Sequence, residues 1–166
     1  TYNLAYNTIY TLVLLALIDP LVNLVTRLVK DKQEKLEELS YIDERFLRTP
    51  AVAIEQALKE MQDMALLAKE NLDRAFSSLL AADTSTRKKI DEAEYRIDFL
   101  TSKLTSFFIK ISSVTKLPED EKLVGGLHHV TNDIERLGDY AVLLAKEAKY
   151  MKNKEVMFVD ETREEL

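Results

Sequence analysis

Three times along the chain, apolar or small residues recur at alternating spacings of four and three. The first run is Ile54, Leu58, Met61, Ala65, Ala68, Leu72, Ala75 and Leu79. The second is Ile90, Ala93, Ile97, Leu100, Leu104, Phe107, Ile111 and Val114, and the third Leu123, Leu127, Val130, Ile134, Leu137, Ala141, Leu144, Ala148 and Met151. That spacing gathers each run onto one stripe of an α-helix, in the manner of a coiled-coil seam. A stripe of this kind has to find an apolar partner, and short connections force sequential helices to run antiparallel. The expected fold is therefore all-α: an antiparallel three-helix bundle with up-down, spectrin-like topology. Nothing in the sequence reads as a strand pair.

The breaks agree with this reading. Only 3 Gly and 3 Pro occur in 166 residues. Pro50, behind a candidate N-cap at Thr49, and Pro118 sit where proline opens a helix. Glu119, Asp120 and Glu121 then complement the positive end of a helix dipole. Gly125 and Gly126 fall inside the third run, at a cost of about 1 kcal/mol each relative to Ala, which implies a kink or a close approach of another helix.

The chain falls into four regions. Residues 1–30 form an apolar N-terminal helix, read either as the end of a membrane domain or as an interfacial or buried helix. Its purely apolar stretch, Leu12 to Ile18, is shorter than the roughly 20 residues a bilayer span needs, and Asp19, Pro20 and Asn23 interrupt it. Arg27, Lys30, Lys32 and Lys35 behind it have the character of a cytoplasmic flank. A secretory signal peptide is a poor match, because no basic residue precedes the apolar stretch. Residues 31–48 are a charged connector and residues 49–153 the bundle. Residues 154–166 hold Asp160 as an N-cap and open a further helix. Starting at Thr1, the chain reads as a piece of something longer.

Composition excludes several functions. With no Cys, disulfides, thiolate metal sites and Cys nucleophiles are ruled out, which fits a reducing compartment. A net charge of −6 weighs against a nucleic-acid partner, since backbone binding needs a basic face. No phosphate-binding loop, nucleophile elbow or His-Glu-x-x-His run is present. No Glu-x-x-His tetrapeptide of a ferritin-like di-iron site occurs either. No catalytic constellation remains, and the chain is not expected to be an enzyme.

What does stand out is acidic. Asp91, Glu94 and Asp98 stack on one side of the second helix, and His128, Asn132, Glu135 and Asp139 on one side of the third. Both helices carry the element Glu-x-x-x-Asp, as Glu94 to Asp98 and Glu135 to Asp139. Like charges at this spacing repel, and a hard multivalent cation would reverse the sign. The competing reading is a solvated acidic face, which 29 Asp and Glu make common by chance.

The stretch YIDERFLRTPAVAIEQALKEM, residues 41–61, resembles the junction in bacterial and archaeal sodium/phosphate cotransporter-family proteins where the membrane domain meets a cytosolic PhoU-like helical domain. VTNDIERLGDYAVLLAKEA, residues 130–148, resembles the PhoU signature, and EAEYRIDFLTSKL its companion on the preceding helix. The N-terminal segment is similar to the last membrane segment of the same transporters, and the four pieces occur in the family's order.

The resemblance implies a regulatory region of a sodium/phosphate symporter that tunes phosphate uptake. It places the chain at the cell membrane with the bundle on the cytoplasmic side, and makes the membrane transporter domain its partner. It implies an iron or other divalent or trivalent metal cluster on Glu94, Asp98, Glu135 and Asp139, with Asp91 and Asp133 as additions. Two departures stand against the family pattern. Tyr140 follows Asp139 where the family often has His, and one three-helix repeat is present where two are usual. The missing repeat would leave an apolar flank, so a homo-oligomer or a longer parent chain is expected. A soluble, stand-alone PhoU-type adaptor and a ligand-free structural bundle are the alternatives.

Overall fold

The computed structural model describes residues 11, 20 and 39–156. Expectations for the N-terminal apolar helix, the first part of the connector and the helix after Asp160 lie outside the described residues. The chain divides into two compact units, Thr1–Glu38 and Leu39–Leu166, and the second holds the helical bundle.

The described part of that unit is all-helical. A short 3-10 turn, Glu44–Arg48, leads into three long helices: α1 (Pro50–Leu80), α2 (Arg87–Val114) and α3 (Pro118–Lys154). Every pair of helices packs together, so the expected three-helix bundle is observed. Pro50 and Pro118 both open helices. The Thr49 side chain, however, makes no capping bond; its carbonyl accepts the backbone N–H of Val52 and Ala53 instead.

The turn from α1 to α2 closes with the Asp83 N–H bonded back to Ser78 O at 2.9 Å. This is the six-to-one bond of a Schellman ending. It requires Ala82 at φ 46°, where a glycine would be at ease. Asp83 then accepts the Ser85 N–H at 3.0 Å, the local turn chemistry by which an Asp helps to stop a helix.

The core confirms the second seam almost residue for residue. Ile90, Ala93, Ile97, Leu100, Leu104, Phe107 and Ile111 are buried, and Val114 alone is exposed. Along α1, Ile54, Met61, Ala68 and Ala75 are buried as expected, and Ala53, Ala57, Met64 and Asn71 widen the buried stripe to one side in place of Leu58, Ala65, Leu72 and Leu79. The third seam differs more. Leu123, Val130 and Leu137 are 47%, 45% and 39% exposed, while the buried stripe is Val124, Leu127, Thr131, Ile134, Gly138, Ala141, Ala145 and Ala148. Small residues fill that stripe because they let α3 lie close to both neighbours, and the bulkier heptad column is rotated to its flank.

The polar residues buried in the core, Glu60, Asn71, Ser78 and Thr131, are paired. Asn71 donates to Ile90 O at 3.2 Å and accepts from Arg74 at 3.1 Å. Thr131 returns its hydroxyl to Leu127 O at 2.9 Å. Glu60 is bound by the start of the described segment. Its carboxylate accepts the backbone N–H of Tyr41 at 2.8 Å, Ser40 at 3.0 Å and Ile42 at 3.3 Å. Leu39, Ile42, Phe46 and Leu47 pack on the core beside it, so the second half of the charged connector lies against the bundle.

Candidate functional site

The hairpin turn between α2 and α3 sets the register of the two acidic elements. Asp98 and Glu135 lie equally far from it, and Glu94 and Asp139 do so one helical turn further on. Two antiparallel helices therefore bring the pairs face to face, as their electrostatics record. Glu94 is pushed up to about 7, mainly because it is taken out of water, and then by the carboxylates of Asp98, Asp139 and Glu135. When protonated it can donate to Asp139. Asp98 is raised by burial and by Asp139. Glu135 is raised by burial, Asp139 and Asp98, with Arg136 opposing. The four residues singled out by the sequence thus form one electrostatic cluster across the α2–α3 interface.

The other acidic candidates are placed differently. Asp91 pairs with Arg87 one turn earlier, at 2.9 Å. Asp133 is well exposed, 3.8 Å from Arg136. His128 and Asn132 face each other at 3.5 Å.

Gly138 is the residue whose part in the site the sequence does not reveal. A Cβ built there would lie 2.5 Å from Glu94 Oε2 and 3.1 Å from Ile97 Cδ1. The absence of a side chain at Gly138 is what opens the recess that receives the Glu94 carboxyl. Gly125 and Gly126, expected to mark a kink or a close approach, meet nothing within 4 Å of an added Cβ. Inside α3 both are exposed, so no neighbouring helix requires them.

Two features of this cluster suit a hard cation: the unpaired Glu94 oxygen and the donor set. Glu94 Oε2 is buried and has no hydrogen-bond partner. The space over Gly138 is taken up by the Glu94 carboxyl itself. The donor set is four carboxylates, which suit hard multivalent ions. As the side chains stand, no three His, Asp or Glu among the described residues are gathered into a metal-holding group, so an ion would draw the four carboxylates inward from their present rotamers.

The three long helices, with paired Glu-x-x-x-Asp elements across the α2–α3 interface, define a class of all-helical bundle domain. The chain belongs to the PhoU family: the PhoU domain matches residues 61–148, more than half of the sequence, including all of α2 and the part of α3 that carries the carboxylates. No curated protein and no solved structure is detectably similar to the chain. Among the described residues, no helix is long and apolar enough to cross a membrane.

Proposed function

We propose that this chain is the PhoU-like cytosolic regulatory region of a sodium-dependent phosphate transporter, tuning uptake through a metal bound by Glu94, Asp98, Glu135 and Asp139. The PhoU domain ties the chain to the regulation of phosphate transport. The observation that supports the metal reading is the recess at Gly138, in which a buried carboxylate oxygen lacks a donor and feels the charge of three further carboxylates.

When bound, an iron or other multivalent cation would supply positive charge that cancels the repulsion between α2 and α3. The residues of the chain do the rest. Glu94 enters the interface, Gly138 leaves it room, and Asp98, Glu135 and Asp139 offer oxygens from both helices. Signalling would then pass through helix packing to an attached membrane domain, with no covalent step. The exposed column Leu123, Val130 and Leu137 supports a further helix or a second copy beside the bundle.

The test is metal content. Purified with iron, manganese or zinc present and then desalted, the wild-type chain should retain metal by elemental analysis, and a variant with all four carboxylates changed to Ala should not. Equal content in the two proteins would remove the metal from the proposal. Recovery of the protein wholly in the soluble fraction of cells, without detergent, would favour the stand-alone adaptor over the transporter.

A further inference from the structure

α2 carries its two signs of charge on different flanks. Glu94 and Asp98 lie on the side of α3, whereas Arg96, two residues from each, is about 200° around the axis. Lys103 and Lys110 follow Arg96 at intervals of seven, which keeps the three cations nearly in line along the helix. In a chain of net charge −6 this is a local basic strip, and its members are engaged differently. Arg96 lies 3.9 Å from the Glu60 carboxylate. Lys110 forms an exposed ion pair with Glu44. Lys103 stands 5.2 Å from the centre of the Phe99 ring and makes no ion pair among the described residues.

Lys103 and Lys110 border a cleft of about 340 Å³, within the size range of small-molecule sites. Its apolar part is made by Leu39, Ile42 and Phe107, and Ser102 and Ser106 join the two lysines on the α2 side. Lys103, Ser106 and Lys110 fall at spacings of three and four, so the serine lies between the lysines on one side of the helix. The facing wall is pinned. Glu60, 1% exposed, accepts the backbone N–H of Ser40, Tyr41 and Ile42, and so fixes Ile42 opposite α2.

We propose that this cleft binds a small phosphate ester, with the phosphate held between Lys103 and Lys110 and the organic part on Leu39, Ile42 and Phe107. Two lysines suit a dianion, and a phosphate monoester carries nearly two charges at pH 7 on three acceptor oxygens. Each ammonium offers three donors on a flexible stem. The Ser106 hydroxyl, which donates to Ser102 O at 2.9 Å, is free to turn toward the phosphate. The apolar part of the cleft favours an ester over inorganic phosphate, because covering the organic group removes apolar surface from water. Among the lining residues Glu44 alone opposes an anion. Its side chain is 72% exposed, so it can swing into solvent as Lys110 exchanges it for the ligand. The site makes no use of a cation at Glu94 and is independent of the metal reading.

The test is calorimetric titration of the full 166-residue chain with phenyl phosphate, with inorganic phosphate, and with phosphatidylcholine vesicles that contain or lack phosphatidic acid. Phenyl phosphate should bind at least about tenfold more tightly than inorganic phosphate, and added salt should weaken it. Lys103→Gln should weaken it by about tenfold or more. Glu44→Gln should tighten it roughly two- to fivefold, the usual strength of an exposed ion pair. Both changes are at exposed positions and leave the core intact. Binding of phosphatidic acid vesicles in preference to phenyl phosphate, with the same response to both variants, would support the site and identify a lipid head group as the source of the ester. No binding of either ester overturns the proposal. So do equal affinity for inorganic phosphate and an affinity that Lys103→Gln leaves unchanged. Metal retention, measured separately, should be the same in Lys103→Gln as in wild type, so failure of one reading is told apart from failure of the other.

Discussion

Glu94 makes the stability of the metal-free bundle depend on pH in an unusual direction. Its carboxyl is raised from 4.5 to about 7, so the folded state takes up a proton more readily than the unfolded chain. A group of this sign contributes stability that is complete below pH 4.5 and is lost as pH rises through 7. At 1.36 kcal/mol per pH unit the full shift would correspond to about 3.4 kcal/mol. Because Glu94 is only partly buried, solvent screening reduces this to about 1–2 kcal/mol. Asp98 and Glu135 are raised too and add in the same direction. The carboxylates whose values are lowered, Asp43, Glu55 and Asp83, lose their contribution only below the ordinary carboxylate range, so a comparison between pH 5.5 and pH 8 excludes them.

Urea unfolding followed by circular dichroism, with a chelator present, gives the measurement. Wild type should be about 1–2 kcal/mol more stable at pH 5.5 than at pH 8, a midpoint shift of roughly 0.5–1 M urea at ordinary denaturant slopes. Glu94→Gln keeps the shape and removes the titration. It should match wild type at pH 5.5, exceed it by about 1–2 kcal/mol at pH 8, and lose most of the pH dependence. A wild-type midpoint that is flat or falls on acidification from pH 8 to 5.5 would refute the reasoning. So would a Gln variant with the wild-type profile.

Gly138→Ala should push the Glu94 carboxyl out of its recess, since the new methyl meets the end of a flexible side chain. Thermal unfolding at pH 8 should show no loss of stability, helped by up to about 1 kcal/mol of helix propensity, while metal retention and the pH dependence both fall. Glu155 ends α3 at φ 54°, where a side chain is strained, so Glu155→Gly should stabilise by about 0.5–1 kcal/mol, read as a higher midpoint in urea. Met64 is fully buried in the main core cluster, and Met64→Ala should cost about 2–5 kcal/mol in the same assay.

The legible and illegible parts of this protein separate along physical lines. Helix number, order and ends could be read because they depend on local signals: 3.6-residue periodicity, prolines at the first helical position, and an acidic first turn. The pairing of Glu94 with Asp139 and of Asp98 with Glu135 follows from the same information, since a short turn between antiparallel helices fixes which residues lie level. Rotation of each helix about its own axis is a different matter. It is set by how closely three helices can approach, so Val124, Thr131, Gly138 and Ala145 displaced Leu123, Val130, Leu137 and Leu144 from the α3 stripe although most of the displaced residues are the more apolar. The same limit hid the two residues that shape the sites. Glu60 reads as a solvent-facing charge on an amphipathic helix, because its partners are backbone amides some twenty residues away that carry no side-chain signal. Gly138 lies inside the second Glu-x-x-x-Asp element, and its use becomes visible only when the carboxyl of Glu94 is placed across the interface. A glycine inside a helix thus has two opposite meanings, spare room at Gly125 and Gly126 and occupied room at Gly138. The neighbouring helix, not the local sequence, decides between them.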